Sequence, residues 1–271
     1  MATVPAGIDP HRANPARIYD LMLGGKDHYA SDRQAAARVL AAAPQVRDAV
    51  RENRRFLQRA VHHLAAEQGM CQFIDVGCGL PTAGNVHEIA QALVPDARVV
   101  YVDRDPVVLV HGRAPLATNR RTTVIDGDAR DPAGILNHPD LRAAIDVTKP
   151  VAVLLVGILH FLTDDEAART LAGFRAAMVS GSLAVISHAT TGRRPMATGR
   201  AARIYSEAAT GITLRTARQI HALAHGFEFT PPGLVPAARW RPDLPSHIPP
   251  GDHPTRAPVL AGIAHPNSAQ R

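Results

Sequence analysis

The stretch from Gln72 to Pro81 constrains the fold more than any other part of the sequence. It is a mostly apolar segment that ends in Gly77-Cys78-Gly79. Two glycines let the backbone turn sharply and let a ligand approach without a Cβ atom in the way. Apolar residues then recur at helical spacing, namely Val86, Ile89, Ala90 and Leu93. We therefore predict a strand, a tight turn and a helix that Pro81-Thr82 opens.

Asp75 is the unusual residue of this stretch, because an isolated carboxylate between apolar neighbours costs stability unless it receives hydrogen bonds. A helix start behind the turn would offer free N–H groups and the positive end of the helix dipole. A ligand with cationic or N–H groups would satisfy Asp75. The stretch thus predicts a ligand site, with a purely structural turn as the alternative; its candidate residues are Asp75, Gly77, Cys78, Gly79, Pro81 and Thr82.

Length and composition indicate a globular α/β protein. The chain has 271 residues, of which 46% are apolar and 20% charged. Its longest apolar run, Val151 to Leu159, falls far short of the roughly 20 residues that span a bilayer. The first residues show no basic start followed by an apolar core, so we expect no secretory signal and a cytoplasmic protein. Cys71 and Cys78 are the only cysteines and do not make a metal site by themselves.

The positive charge of the chain invites a nucleic-acid interpretation, which the pattern does not support. The formal net charge is +6, but Lys26 and Lys149 are the only lysines, and the arginine pairs are scattered. Aromatic residues, on which bases could stack, make up only 4% of the chain. We therefore expect a small-molecule partner rather than a nucleic acid, and the sequence does not indicate the oligomeric state.

The N-terminal region predicts two helices joined by a glycine turn. Asn14 can cap a first helix that starts at Pro15, Gly24-Gly25 ends it, and Ser31-Asp32 caps the next. The pair is either a hairpin that covers a sheet edge or a lid over a ligand. In the lid interpretation the ligand-facing candidates are Tyr19, Gly24, Gly25, Lys26 and Tyr29.

Acidic residues end the next two predicted strands. Asp103 ends the second strand, 24 residues past Gly79, close to the spacing at which dinucleotide folds place a carboxylate on the ribose. Arg104 follows it. The third strand, residues 122–126, leads to Asp128 and Ala129, where a carboxylate suits the exocyclic amine of a purine.

The fourth and fifth predicted strands each end in a histidine. Residues 150–156 are almost continuously apolar, as a central parallel strand should be, and lead through Gly157 to His160. Residues 181–188 end at His188. The carboxyl ends of such strands form the rim where open α/β sheets bind ligands. Two further strands are predicted near residues 226–230 and 257–264.

Together these motifs resemble the class I S-adenosylmethionine-dependent methyltransferases. Within them, five motifs look like one bacterial family of largely undefined substrate: Pro15–Asp27 with its Gly-Gly-Lys-Asp ending, Gly79-Leu-Pro-Thr82, Asn85-Val-His-Glu88, Tyr101–Pro106 and Ser187-His-Ala-Thr190. The resemblance covers residues 14 to 264. It implies a Rossmann-like α/β fold, with a seven-stranded, mostly parallel sheet of order 3-2-1-4-5-7-6 and helices on both faces. Residues 1–68 would form an N-terminal helical cap on a binding domain of residues 69–271.

The resemblance also implies site roles. Asp75 and the 77–79 turn would face the methionine part of S-adenosyl-L-methionine, Asp103 the ribose and Asp128 the adenine, with S-adenosylhomocysteine as product. Gly157-Ile-Leu-His160 departs from the Asn/Asp-Pro-Pro-aromatic motif of many amino-methylating relatives. No set of acidic metal ligands of the catechol-methylating type is evident, so no metal is predicted.

Three functions stay open from the sequence. The favoured one is a methyltransferase acting on a small molecule, with His160 and His188 as candidate bases because histidine titrates near working pH. A nicotinamide-dependent oxidoreductase is disfavoured because Thr82 stands where the third glycine of Gly-x-Gly-x-x-Gly belongs. A non-catalytic S-adenosylmethionine-binding protein is the third.

Overall fold

A computed structural model describes residues 9–116 and 119–267 of the chain. Within these residues the strands form one sheet, in the order β3-β2-β1-β4-β5-β8-β6, and β7 pairs with β8. The strands are β1 (Gln72–Val76), β2 (Arg98–Asp103), β3 (Thr122–Asp126), β4 (Ala152–Val156), β5 (Leu183–Ala189), β6 (Phe227–Phe229), β7 (Val235–Pro236) and β8 (Val259–Pro266).

The helices lie between these strands and before them. They are α1 (Pro15–Leu23), α2 (Ala30–Ala42), α3 (Gln45–Ala66), α4 (Val86–Leu93), α5 (Pro106–Leu116), α6 (Pro132–Asn137), α7 (Pro139–Ala144), α8 (Asp164–Ala177), α9 (Pro195–Ala208) and α10 (Ala217–Leu223). Short 3₁₀ turns occupy Leu159–Phe161, Ala237–Arg239 and Pro254–Arg256. None of the helices in the described ranges is both long enough and apolar enough to cross a membrane.

The sheet confirms the predicted Rossmann-like class. Strands β1 to β5 pair in parallel, and β8 runs antiparallel to β5. The predicted seventh strand is β8, because the two-residue strand β7 is inserted before it and pairs along its edge. A parallel order of 3-2-1-4-5 brings the carboxyl ends of β1 and β4 together at the centre, where the chain reverses direction in the sheet.

Alternating residues of the strands feed two separate cores. On one face Phe73 and Leu154 pack against α3 and α4, together with Phe56 and Leu64 of α3. On the other face Ile74 and its neighbours pack against α6, α7 and α8. Successive strand side chains point to opposite faces, so continuously apolar strands such as β4 become buried on both.

The N-terminal helices pack against α9 rather than standing apart. Ile18, Met22 and Val39 form a buried cluster with Ala201 of α9. Arg17 of α1 forms a buried ion pair with Asp32 of α2, with 2.7 Å between Nε and Oδ2. The division at residue 68 into a cap and a binding domain stays a prediction.

Two predicted helix starts are wrong by a few residues. The helix behind the glycine turn begins at Val86 instead of Pro81, because Gly84 adopts a left-handed φ of +69° that a helix cannot pass. Glu88 then accepts a hydrogen bond from the Asn85 N–H at 2.8 Å, one half of a capping box. Helix α2 begins at Ala30, and Asp32 accepts from the Tyr29 N–H at 2.8 Å instead of being the cap itself.

Candidate functional site

The glycine turn follows β1 at the carboxyl edge of the sheet. Gly77 and Gly79 have φ angles of +70° and +67°, in the left-handed region that glycine enters without steric cost. The N–H groups of Gly77 and Cys78 donate to the Val102 carbonyl at 2.7 and 3.2 Å, which fixes the turn to the end of β2. A Cβ atom on Gly77 would lie 2.6 Å from Cδ1 of Ile158, whereas one on Gly79 would meet nothing within 4 Å. Gly77 thus serves packing, and Gly79 leaves open space above the turn.

A cavity of about 780 Å³ lies beside this turn, within the range of about 300–1,000 Å³ typical of small-molecule sites. The ends of β1 to β4 contribute to it, and α1, α3, α9 and residues 209–214 supply further walls. The predicted site residues that line it are Tyr19, Asp75, Gly77, Cys78, Gly79, Thr82, Asp103, Arg104, Asp128, Ala129, Gly157 and His160. Those that lie outside its lining are Gly24, Gly25, Lys26, Tyr29, Pro81 and His188.

Asp103 braces the glycine turn and lines the cavity at the same time. Its Oδ2 accepts from the Gly79 N–H at 3.0 Å, and its Oδ1 accepts from the Asp105 N–H at 3.0 Å. Burial raises the pKa of Asp103, and these backbone donors oppose the rise. Each carboxylate oxygen keeps a second lone pair, so the group can still accept hydrogen bonds from a ligand.

Asp128 is held by two arginines. Nη1 of Arg104 donates to its Oδ2 at 3.1 Å, and Nε of Arg130 donates to its Oδ1 at 3.0 Å. The hydrogen bonds from Arg130, ahead of the charge of Arg104, hold the pKa of Asp128 well below its usual range. Asp128 is therefore ionised at any working pH, and the arginines leave it less free than the sequence suggested.

Asp75 and Arg54 form a buried pair of opposite charges that the protein leaves incompletely satisfied. Asp75 is 4% exposed, and burial raises its pKa to about 7, although the nearby Arg54 guanidinium lowers it. Within the described ranges no group donates a hydrogen bond to its carboxylate. Arg54 donates to the Gly84 carbonyl and to Asn85 through Nη2, but its buried Nε has no described partner.

A hydrogen-bonded chain that includes the cavity-lining residues Tyr19 and Asn53 joins α1, α3 and β5. Asn53 donates to the Tyr19 hydroxyl at 3.0 Å, and Tyr19 donates to the Val50 carbonyl at 3.3 Å. Ser187 at the end of β5 donates to the Asn53 side-chain oxygen. Burial raises the pKa of Tyr19, so its hydroxyl stays neutral and the N-terminal helix is tied to the sheet by uncharged groups.

His160 enters the cavity from the 3₁₀ turn after β4. Its buried Nδ1 has no hydrogen-bond partner within the described part of the chain. Its ring centroid lies 4.3 Å from that of Phe161, which stacks on Tyr205 of α9 at 6.1 Å. Burial, and then the nearby His188 and Arg215, hold the pKa of His160 well below its usual range. The ring is therefore neutral at working pH.

His188 is placed differently from His160. Its Nδ1–H donates to the Ala189 carbonyl at 2.6 Å, and its Nε2 accepts from Arg215 at 2.8 Å. Burial lowers the pKa of His188 to about 4. Arg215 also donates to Asp164 and to the Leu159 carbonyl. Both ring nitrogens are thus engaged, Nδ1 within β5 and Nε2 with the Arg215 that holds the loop after β4, so His188 has no free ring nitrogen for a substrate.

The Gly24–Lys26 segment follows the end of α1 and folds back toward Asp20, whose carbonyl accepts from the Gly25 N–H at 2.9 Å. Gly24 has a left-handed φ of +91°, and a Cβ atom on Gly25 would lie 1.9 Å from Oδ1 of Asp20. Tyr29 lies under the guanidinium of Arg17, 4.9 Å from it. Tyr29 also packs against Leu80 and Val107, and none of these predicted site residues lines the cavity.

Comparison with known proteins identifies the family. The model of the S-adenosyl methyltransferase family matches residues 1–267. The chain belongs to this family. Its cofactor is S-adenosyl-L-methionine, and its fold is that of an S-adenosylmethionine-dependent methyltransferase. No curated protein matches the chain significantly.

Solved structures agree with this assignment. A candidate methyltransferase from Thermobifida fusca YX is 42% identical, with a TM-score of 0.90, and the match covers 99% of this chain and 100% of that one. A DUF574 family protein from Streptomyces avermitilis is 36% identical, with a TM-score of 0.89, covering 96% and 99%. Mitomycin 7-O-methyltransferase is 19% identical, with a TM-score of 0.51 over 78% of this chain and 54% of that one. That last likeness concerns the fold alone.

The unsatisfied groups of the cavity fit the cofactor of the family. The amino-acid end of S-adenosylmethionine carries an ammonium group and a carboxylate. Asp75 has a carboxylate without a donor, and Arg54 has a buried Nε without an acceptor in the part of the chain that the structure describes. Gly79, which lines the same cavity, leaves open space above the turn. A buried charge whose hydrogen bonds are incomplete is costly, and a ligand of this chemistry would complete those of Asp75 and Arg54.

Sequence reasoning missed Arg54, Asn53 and Tyr205. A signal for Asn53 exists, because it lies three or four residues from Val50 and Leu57 on the apolar stripe of α3, where a polar side chain is out of pattern. Arg54 and Tyr205 carry no such signal, since only the fold brings them to the cavity. The described residues contain no group of three or more His, Cys, Asp or Glu that could hold a metal ion.

Proposed function

We propose that this methyltransferase acts on a small molecule bearing an acidic proton, with His160 in contact with the acceptor. The observation that carries the proposal is the unpartnered, buried Nδ1 of His160 among the described residues, in the same cavity as the glycine turn. The cavity wall beyond the turn is supplied by Phe161, Tyr205 and the 209–214 segment, and the lining residues there are uncharged. Such a surface suits an acceptor whose reactive end is neutral and largely apolar.

The proposal assigns the cofactor to the charged end of the cavity. Asp75 would receive the ammonium group and Arg54 the carboxylate of the methionine part. Asp103 would accept from the ribose hydroxyls, and Asp128 with Ala129 would border the adenine. Because Asp103 also accepts from the Gly79 N–H, ribose binding and the shape of the turn are coupled.

The protein holds the two reactants in position, excludes water from the cavity and provides a group that can accept a proton. When bound, S-adenosylmethionine supplies a methyl group activated by the positive sulfur. Ile158, Leu162 and Tyr205 exclude water from the cavity wall, and the Tyr19–Asn53–Ser187 chain fixes its shape. Holding two reacting groups in line removes an entropic part of the barrier.

His160 fits acceptors whose proton is already acidic. Placing a positive charge on its ring is unfavourable in this buried position beside His188 and Arg215, which is why its pKa is low. A neutral ring accepts a hydrogen bond well but is a weak base. The pKa of His160 lies below the neutral range, so its titration should not change the rate between about pH 7 and pH 8.

The weak basicity of His160 is also compatible with one alternative function, a protein that binds S-adenosylmethionine without catalysis.

Calorimetric titration with S-adenosylmethionine and with NAD tests whether the protein binds the proposed cofactor. We expect saturable binding of the first only, weakened by at least tenfold in Asp103→Asn, because each hydrogen bond lost to a charged group costs about 1.5–3 kcal/mol. Equal binding by Asp103→Asn would contradict the assigned ribose contact.

A turnover assay distinguishes a methyltransferase from a protein that only binds S-adenosylmethionine. Release of S-adenosylhomocysteine is followed with a panel of phenols and other acidic small molecules, using His160→Gln and His188→Gln. We expect His160→Gln to lower kcat by about a hundredfold with unchanged cofactor affinity. His188→Gln should lower stability instead, because Arg215 loses an acceptor. Binding without any turnover would favour the non-catalytic alternative.

A further inference from the structure

A second hollow lies beside the proposed methyl-transfer cavity and is lined by arginines. Its volume is about 880 Å³, and Thr198 and Pro258 belong to the linings of both hollows. Four of its lining residues are arginines: Arg47, Arg193, Arg194 and Arg256. We refer to this site as the arginine hollow.

The four arginines come from three separate parts of the chain. Arg47 lies in the first turn of α3, Arg193 and Arg194 directly precede α9, and Arg256 ends a 3₁₀ turn before β8. In the sequence the pair Arg193-Arg194 is one of several scattered arginine pairs. The fold brings this pair into the same hollow as two arginines that are distant in the sequence. Arginines that are scattered along the chain are therefore clustered in the structure.

The guanidinium groups of the arginine hollow are not neutralised within the described part of the chain. None of the four forms an ion pair or a side-chain hydrogen bond there. Two acidic residues, Asp48 and Asp252, also line the hollow. Asp48 is buried and its Oδ1 accepts from the Asp252 N–H at 3.1 Å, so it serves the 251–252 turn. A surplus of positive charge remains.

The four arginines are solvent-exposed and line one concavity, where their like charges repel one another and favour a bound anion. A guanidinium group presents a planar fork of donors that matches phosphate oxygens. One carboxylate would satisfy a single arginine, whereas four arginines call for a group with more than one negative charge. The Thr198 and Thr255 side chains add neutral hydroxyl groups to the lining.

We propose that the arginine hollow binds a phosphate group carried by the methyl acceptor. This inference rests on the proposed function where it calls the ligand the acceptor. The acceptor's reactive end would lie by His160, and its phosphate would extend past Thr198 and Pro258 into the arginine hollow. The arginines surround a concavity whose described lining offers no Phe, Tyr or Trp for stacking, which favours a small phosphate ester over a nucleic acid.

Binding of inorganic pyrophosphate tests the site without knowledge of the acceptor. Calorimetry at low salt compares the wild type with Arg193→Gln/Arg194→Gln. The matched control is Arg200→Gln/Arg203→Gln, which removes the same charge from α9 at positions that line a different hollow. We expect the first variant to weaken pyrophosphate binding by at least tenfold, and the control to stay within twofold of the wild type. Absent binding, or equal weakening in both variants, would overturn the proposal.

Two further readouts identify the source of the phosphate. A single-stranded oligonucleotide that bound more tightly than pyrophosphate, through the same two arginines, would replace the small-molecule ligand by a nucleic acid and overturn the proposal. Turnover of paired phosphorylated and dephosphorylated acceptors should favour the phosphorylated member, with KM raised at least tenfold and kcat nearly unchanged in Arg193→Gln/Arg194→Gln. A preference for the dephosphorylated members would disprove the acceptor role.

Titration of the same samples with S-adenosylmethionine distinguishes a failure of the arginine hollow to bind anions from a failure of the protein to act as a methyltransferase. The hollow variant should bind the cofactor within twofold of the wild type, because neither substituted arginine lines the methyl-transfer cavity. Pyrophosphate binding combined with a lack of turnover would refute the proposed function and confine the arginine hollow to anion binding. Turnover without pyrophosphate binding would refute the arginine hollow alone.

Discussion

At the scale of single residues, Asp75 shows how a ligand site can lower the stability of the empty protein. Its carboxylate is buried, and burial raises its pKa to about 7 against an ordinary value of 3.8. A folded-state pKa above the unfolded one stabilises the fold below the unfolded pKa. This contribution is lost as the pH rises through the folded pKa. The native protein therefore becomes less stable between about pH 4 and pH 8 because of this one group.

Asp75→Asn should remove that penalty and the cofactor contact together. The variant's gain in free energy of unfolding over the wild type should grow by about 2–3 kcal/mol between pH 5 and pH 8, because the wild-type carboxylate ionises over that range. Denaturant unfolding at the two pH values measures it. S-adenosylmethionine affinity should fall by at least tenfold, since the neutral amide no longer attracts an ammonium group. A gain that did not depend on pH would contradict the raised pKa.

At the scale of elements, two glycines only two positions apart in the turn between β1 and α4 have different roles, one in packing and one in leaving room for a ligand. Gly77 and Gly79 share a left-handed backbone, but a Cβ atom on Gly77 would strike Ile158 and one on Gly79 would meet open space. The two positions therefore carry the same backbone cost and different neighbours. A pair of identical substitutions can distinguish the two roles.

Gly79→Ala should lower stability by about 1–2 kcal/mol, the cost of a left-handed alanine, and reduce cofactor affinity. Gly77→Ala should lose a further 1–3 kcal/mol or so through overpacking against Ile158. Gly211→Ala is the control, because Gly211 has no positive φ and a Cβ atom there would meet nothing within 4 Å. Thermal unfolding and calorimetric titration compare the three. Equal stability losses at positions 77 and 79 would contradict the different surroundings.

The elements also show how far the sequence predicts the structure. Apolar runs and the glycine turn suffice to predict the central strands, because parallel strands buried on both faces leave a simple local pattern. The order of the strands in the sheet is implied by the family resemblance instead. The predicted start of α4 is wrong because Gly84 breaks the helix after Pro81. Arg54 could not be assigned to the site, since its place beside Asp75 depends on how α3 crosses the sheet. Long-range contacts of this kind have no signature in a single sequence.

At the scale of the whole molecule, the N-terminal helices and the sheet close the cavity from opposite sides. Tyr19 of α1 reaches the sheet through Asn53 and Ser187, and Asn14 donates to Asp105 at the start of α5. A ligand in the cavity would touch both halves at once. If the N-terminal helices act as the predicted lid, ligand binding should protect them from local opening, whether or not they move far.

Hydrogen exchange with and without S-adenosylmethionine tests that coupling. Cofactor binding should slow amide exchange in both α1 and residues 77–85. At a concentration of 100 Kd the slowing should approach about a hundredfold for openings that release the ligand, which corresponds to about 2.7 kcal/mol. Asp103→Asn, with its weakened binding, is the control. Protection confined to the strand ends and absent from α1 would show that the N-terminal helices take no part in closing the site.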